Sequence, residues 1–407
     1  MRIRGRVIAV AGATLVAVAG LSIGQFVNAT ATGTVVARVT VGTQPDGIAI
    51  TPNGNYAYVT NASSGTVSVV STSTNAVVAT ITVGNRPAGI AITPNGLYAY
   101  VANYNDDTVS VISTATNTVV TGAGLPITVG DGPQGVSVTP SGSFVYVTNQ
   151  LAGTVSVIQT SNNTVVSGAG YPITVGTTPQ GIAITPSGSF AYVANHGSNN
   201  VSVINTSTNA VTSTVSVGAV PQGLAITPNG SFVYVANSTA GTVSVIQTSN
   251  NAVIATVTVG TNPSFVAITP DGGSAFVSDY TSGTVSVISV ATNTVTATIP
   301  VGSGPERGAI TPNGLYAYVT DYNSGIVAVI YIGAPDPGVT APMQAYVPGA
   351  GETCGQNAPA WVNWPGIATQ QNQGWSSSWQ QWPNGGTGGM VCVRQPYYTT
   401  SGTWSAG

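Results

Sequence analysis

"ITPNGNYAYVTNASSGTVSVV", residues Ile50 to Val70, holds two short runs of alternating apolar residues, a Thr-Pro-Asn-Gly turn before the first and an Asn-Ala-Ser-Ser-Gly break between them. The stretch returns with small edits six more times before residue 335. Its copies align on a leading proline, Pro45, Pro87, Pro133, Pro179, Pro221, Pro263 and Pro305, with spacings of 42, 46, 46, 42, 42 and 42 residues. A second proline, Pro52 through Pro312, follows each of these seven residues later. This period, filled by short alternating strands, predicts a four-stranded propeller blade.

In the first copy the expected inner strand is Gly47 to Thr51, and the turn after it carries Pro at i+1 and Gly at i+3, a type I pattern. The second strand is expected at Tyr56 to Thr60, the third at Thr66 to Ser71 and the outer at Ala76 to Val83. The two longer intervals contain four-residue insertions around "GAGLP" and "GAGYP", just before the outer strands of blades two and three. The seventh copy has no fourth strand, because "APDPG" follows "GIVAVIYIG" and its prolines do not fit a central ladder. The missing strand has a counterpart at the other end: "GTVVARVTVG", Gly33 to Gly42, matches "NAVVATITVG". Thr34 to Val41 is therefore expected to pair with Val327 to Ile332, closing a ring of seven and removing its open edges. The expected architecture is all-β, a seven-bladed β-propeller over residues 32–334. The aromatics that begin the second strands, such as Tyr56, Tyr98 and Phe144, are expected to pack between blades. The asparagine that ends each second strand is expected to bond nearby backbone in a turn.

The segments "YVTN" at 58–61 and 146–149, and "YVAN" beginning at 100, 192 and 234, resemble the YVTN β-propeller repeat family. The resemblance runs from residue 33 to about 333 and includes the recurrent "TVSV". It implies a seven-bladed fold and an exported or surface-layer setting, in a family few of whose members have a defined activity. Blades six and seven depart from the pattern with "FVSD" and "YVTD", placing Asp279 and Asp321 where the other copies have asparagine.

Charged residues make up 4% of the chain, which has no lysine and one histidine. Typical globular proteins carry about 25%. Regularly spaced Val, Ile and Tyr separate this composition from that of a disordered chain. Arg2, Arg4 and Arg6, an apolar run from Val7 to Gly24 and Ala29-Thr30-Ala31 read as an export signal over residues 1–31. The alternative is that the run stays on as an anchor. Past residue 31 no stretch is long and apolar enough to cross a bilayer, so a secreted or cell-surface location is expected. Without the three signal arginines, four arginines face ten acids, and such a surface does not suit nucleic acid.

All six tryptophans lie in residues 335–407, expected to form a small module. Trp375, Trp379 and Trp382 fall at i, i+4 and i+7, which a short helix ended by Pro383 would place on one face. They form either the core of the module or a platform on which sugars stack. Cys354 and Cys392, the only cysteines, are expected to form one disulfide in an exported chain.

Repeated positions serve the fold, so residues that break the repeat are the candidates for function. Of eleven charges between residues 32 and 335, nine fall in the outer-to-inner and second-to-third connections, which share one face: Asp46, Arg86, Asp106, Asp107, Asp131, Asp279, Glu306, Arg307 and Asp321. The residue after each leading proline is Asp46, Ala88, Gln134, Gln180, Gln222, Ser264 or Glu306 in turn. The next is glycine in blades one to five, but Phe265 and Arg307 in blades six and seven. One arc of the expected channel mouth is thus Gln134, Gln180 and Gln222, and the other carries Asp46, Arg86, Phe265, Glu306 and Arg307. The second mixture is of the kind that holds a small ligand or peptide; the alternative is that its charges satisfy one another at a wet rim. His196 lies on the same face, but no catalytic set can be singled out. Asp106, Asp107 and Asp131 offer oxygen ligands of the calcium type without EF-hand spacing, and no metal or cofactor is expected. The expected function is non-enzymatic binding, by an exported protein, of a protein, peptide or cell-envelope glycan at the channel mouth. The alternative is a lactonase- or lyase-like propeller enzyme acting on a small substrate at that mouth.

Overall fold

The computed structural model describes residues 33–333 and five short strands beyond them: Ala345–Tyr346, Gln380–Pro383, Met390–Val393, Pro396–Tyr398 and Trp404–Ala406. Residues 33–333 form seven antiparallel sheets, the blades of a propeller, and no helix occurs among the described residues. Blade one runs Pro45–Ile50, Tyr56–Asn61, Thr66–Ser71 and Ala76–Thr82 from the centre outwards. Its inner strand begins at the leading proline, two residues before the expected start, so Asp46 and its counterparts belong to strands and not to connections. In every blade a bulge follows that proline. Such a bulge turns the next two side chains away from the regular alternation.

The outer strand of blade seven is Thr34–Thr40, which pairs antiparallel with Ile326–Tyr331. The "GAGLP" and "GAGYP" insertions split the outer strands of blades two and three into two-residue pieces, Thr118–Val119 with Ile127–Thr128 and Thr164–Val165 with Ile173–Thr174.

Both faces of each sheet are covered by neighbouring blades, which is why the third strands are Val-rich on both sides. Tyr58, Val67, Val69 and Ile81 of blade one meet Ile90, Ala99, Val101 and Ile112 of blade two. The ring closes through the same kind of contact, with Val39, Tyr318, Val327 and Val329 against Ile48, Ala57, Val59 and Val70. Each large apolar side chain so buried contributes roughly 1.5–3 kcal/mol.

The interblade aromatic is not the one expected from the repeat. Tyr58, Tyr100, Tyr146, Tyr192, Tyr234 and Tyr318 are at most 1% exposed, whereas Tyr56, Tyr98 and Phe144 keep 39%, 41% and 36%. Residues two apart share a strand face, so position along the strand decides. Tyr56 starts its strand at the end away from the mouth, and Tyr58 sits at mid-blade. Each buried tyrosine also donates its hydroxyl, at 2.5–2.7 Å, to an asparagine in the third-to-outer turn of the next blade; Tyr58 reaches Asn117 and Tyr100 reaches Asn163. These asparagines hold φ between 52° and 57°, a left-handed conformation that asparagine tolerates.

The strand-end asparagine does more than close a turn. Fully buried Asn61 accepts from the Gly42 N–H at 3.0 Å and donates to Thr66 Oγ1 at 3.1 Å and Ser68 Oγ at 3.0 Å. It thereby fastens the preceding outer-to-inner connection to the third strand of its own blade.

Beyond the propeller, Ala345–Tyr346, Met390–Val393 and Gln380–Pro383 form a three-stranded sheet, and Pro396–Tyr398 pairs with Trp404–Ala406. Trp382 therefore lies in a strand, opposite Val391, and not on the helix expected from its spacing. The expected export signal, Cys354, Trp375 and Trp379 lie outside the described residues, and Cys392 falls in the strand Met390–Val393. No helix among the described residues is long and apolar enough to cross a membrane.

Candidate functional site

The inner strands surround the central channel, each against both neighbours, blade seven against blade one included. Five glycines set how closely they approach. A Cβ on Gly47 would lie 2.3 Å from the Ala88 carbonyl oxygen, and one on Gly135 would lie 2.2 Å from that of Gln180. Side chains are excluded there because backbone meets backbone. Threonine hydroxyls bridge some of these contacts: Thr148 accepts from the Gly135 N–H at 2.7 Å and donates to the Gln180 carbonyl at 2.7 Å.

Phe265 and Arg307 bring side chains to the positions glycine holds elsewhere, so the spacing must be met differently around blades six, seven and one. Ser264 donates to the Glu306 carbonyl at 2.7 Å. Thr320 accepts from the Arg307 N–H at 3.0 Å and donates to the Asp46 carbonyl at 2.9 Å. These bonds place the three side chains that give the site its charge.

Arg307 Nε donates to Asp46 Oδ1 at 2.8 Å, and both side chains are nearly withdrawn from water, at 13% and 12% exposure. The Arg307 guanidinium carbon lies 5.7 Å from the Phe265 ring centroid, so the cation is framed by a carboxylate and an aromatic ring. Glu306 keeps a partial opening but is ringed by protein. This burial first, and the Asp46 charge second, push its carboxyl up to about 8, with Arg307 opposing. The shift favours the protonated form of Glu306, which can donate a hydrogen bond, beside the Arg307–Asp46 pair. A carboxyl whose proton affinity is raised by burial and a neighbouring charge marks acid/base and ligand sites.

A second ring lies above the first. The residue after each strand-end Asn or Asp is Ala62, Tyr104, Gln150, His196, Ser238, Tyr280 or Tyr322 in turn. Its N–H bonds to the carbonyl of the residue before the leading proline, as in Tyr322 to Gly304 at 2.8 Å and His196 to Thr178 at 3.1 Å. Three members of this column are tyrosines: Tyr280 and Tyr322 in blades six and seven of the charged arc, and Tyr104 in blade two. Tyr280 and Tyr322 have ring centroids 6.5 Å apart. Burial, then the Asp46 charge, raise the Tyr322 hydroxyl above its ordinary value, and Arg86 opposes. These tyrosines were not among the expected site residues because they sit in connections, where no strand periodicity singles them out, although the repeat places them in one column.

Of the residues expected at the mouth, the structure brings Asp46, Phe265, Glu306 and Arg307 together. Gln134, Gln180 and Gln222 line the consecutive inner strands of blades three to five, half-buried. Arg86 has its guanidinium carbon 4.2 Å from the Tyr104 ring centroid, and its charge also acts on the Tyr322 hydroxyl. His196 belongs to blade four, three blades from either end of the Asp46–Arg307 pair, and burial lowers its imidazole below the ordinary value. Asp106 and Asp107 serve the connections: Asp106 takes the Asn85 N–H and side-chain amide, each at 2.7 Å, and Asp107 takes the Gly132 N–H at 2.8 Å. No group of three or more His, Cys, Asp or Glu is gathered to hold a metal ion among the described residues.

The description "Lactonase, 7-bladed beta-propeller" matches residues 27–176 and 163–253, together more than half of the chain. No curated protein matches it. Among solved structures, the chain is similar to "Kuenenia stuttgartiensis Hydrazine Synthase", with a TM-score of 0.63 and 21% identity over 76% of this chain and 99% of that one. A likeness at that identity shows the fold alone.

Proposed function

The chain belongs to the seven-bladed β-propeller lactonase family, and from that premise we propose that the channel mouth of an exported propeller binds a small, hydroxyl-rich ligand on the arc of blades six, seven and one. The observation that carries this reading is the coincidence of irregularities. The aromatic Phe265, the Arg307–Asp46 pair and the proton-bearing Glu306 replace monotonous residues on adjacent inner strands, and Tyr280 and Tyr322 stand over the same arc. A charged pair, a neutral donor and aromatic rings converging in a concavity suit a polar ring-shaped ligand. The basic start of the chain, its apolar run and its A-x-A sequence support export.

A second reading, hydrolysis of a lactone bound there, is favoured by the family and by the Glu306–Asp46 carboxyl pair. In that reading deprotonated Glu306 takes a proton from water as the water oxygen adds to the lactone carbonyl, Arg307 faces the developing negative charge, and the returned proton releases the ring oxygen as an alcohol.

Calorimetric titration with glucono-δ-lactone, followed by a pH-stat assay on the same sample, separates the two. Binding without acid release, weakened by Glu306→Gln, supports the binding protein; acid release abolished by Glu306→Gln supports the hydrolase. Binding that Glu306→Gln and Phe265→Gly leave unchanged contradicts the placement of the site.

A further inference from the structure

A groove on the mouth face, between the loops of blades one and two, shares only Arg86 with the residues expected at the channel mouth. It encloses about 420 Å³ and is lined by Gln44, Ser63, Ser64, Asn85, Arg86 and Asn105 among others. Its one charge is Arg86. Each other arginine of residues 33–333 is held by an oxygen: Arg307 by Asp46 and Arg38 by the Val301 carbonyl. Arg86 is exposed, rests on the Tyr104 ring, and has no carboxylate within ion-pair distance among the described residues. Asp106, nearby in the same loops, spends both of its oxygens on Asn85. A guanidinium stacked on an aromatic ring is held in orientation while its N–H edge remains available.

The rest of the groove is neutral and polar. Gln44 uses its carbonyl oxygen to accept from the Ser63 hydroxyl, which leaves its amide nitrogen unengaged. Asn105 adds a second side-chain amide, the Ser64 hydroxyl is already bonded to Thr43, and Ala62 is the largest apolar side chain in the lining. Donors therefore outnumber acceptors and apolar contact is slight, which favours a hydroxylated anion over an apolar acid or a peptide.

We propose that this groove binds an acidic saccharide, with a sugar carboxylate on Arg86 and sugar hydroxyls on Gln44 and Asn105. The site is independent of the channel reading and stands or falls without it.

The test is calorimetric titration of the full chain with digalacturonate, with its neutral counterpart galactobiose, and with citrate. Digalacturonate binds, galactobiose binds at least about tenfold more weakly, and Arg86→Gln weakens digalacturonate by about tenfold, the size of one charge-assisted contact. Asn105→Ala weakens it less, and Asp271→Asn, in a turn on the opposite face, leaves it unchanged. Absence of digalacturonate binding to the wild-type chain, or binding indifferent to Arg86→Gln, overturns the proposal. Citrate binding as tightly as digalacturonate overturns its saccharide part, because the groove would then read charge alone.

Discussion

The Tyr318 hydroxyl donates to Asn75 Oδ1 at 2.7 Å, latching blade seven to blade one across the point where the two ends of the propeller sequence meet. Six blades carry this tyrosine, and blade six has Phe276 in its place. The exception has a cause. The turn that would supply the asparagine for blade six belongs to blade seven, whose outer strand comes from the N-terminal side, so that turn does not exist. The hydroxyl is absent where its acceptor is absent. Tyr318→Phe should lower unfolding free energy by about 1 kcal/mol, the net worth of one hydrogen bond, and Phe276→Tyr should also destabilise by burying a hydroxyl without a partner. Urea unfolding of both variants checks this; a stabilised Phe276→Tyr would refute it.

The same latches bear on alkaline stability. Burial raises the six tyrosine hydroxyls from 10.0 to about 12. Folding thus favours the protonated form, and the stability this confers is present below pH 10 and is lost as pH rises through about 12. The melting temperature should fall steeply over that interval, with the tyrosinate absorbance of the six buried rings appearing only as the chain unfolds.

Asp321 and Asp279 look equivalent in sequence and should respond oppositely to asparagine. In blade seven Ile326 and Ala328 replace the hydroxyl residues to which the asparagines of other blades donate, while Asp321 accepts from the Ser303 and Ser324 N–H groups at 2.9 and 3.3 Å. Asp321→Asn would leave an amide without acceptors and should cost about 1–3 kcal/mol. Asp279 keeps Thr284 and Ser286 beside it, and burial raises its carboxyl above the ordinary value. Asp279→Asn should therefore be neutral or stabilising at pH 8, and thermal melts at that pH decide.

Much of this was legible in the sequence because a repeat reports its own exceptions. The proline alignment gave the blade order, and the displaced "GTVVARVTVG" segment gave the closure strand, now paired from Thr34 to Thr40. Asp46, Phe265, Glu306 and Arg307 were found because each interrupts a column of glutamine or glycine. Other features depended on the third dimension. Tyr56 and Tyr58 share a strand face and differ only in how far the next blade extends over them, which spacing does not encode. Trp382 had helical spacing with its neighbours, yet cross-strand pairing with Val391 won over local periodicity.

Glycine 135 offers a test of how tightly the inner strands are packed. Gly135→Ala would force a Cβ to within 2.2 Å of the Gln180 carbonyl, whereas Gly308→Ala meets nothing nearer than 3.6 Å. The first should cost about 1–3 kcal/mol or more and the second close to nothing. Equal effects would show that the close approach is not a constraint.

Glu306 should reveal itself through pH. The unfolded chain releases this proton near 4.5 and the folded chain near about 8, so the stability linked to it is fully present below pH 4.5 and is lost as pH rises through about 8. Wild-type protein should lose stability across that window relative to Glu306→Gln, with the two closest at low pH. In the hydrolase reading the rate should rise along the same limb.

The most direct test is a crystal structure of the propeller soaked with glucono-δ-lactone. Ligand density within hydrogen-bonding distance of Glu306 and Arg307, beside Phe265 and beneath Tyr322, is the predicted result. Density among Gln134, Gln180 and Gln222, density on the opposite face of the ring, or an empty mouth at saturating ligand would contradict a ligand site on the arc of blades six, seven and one.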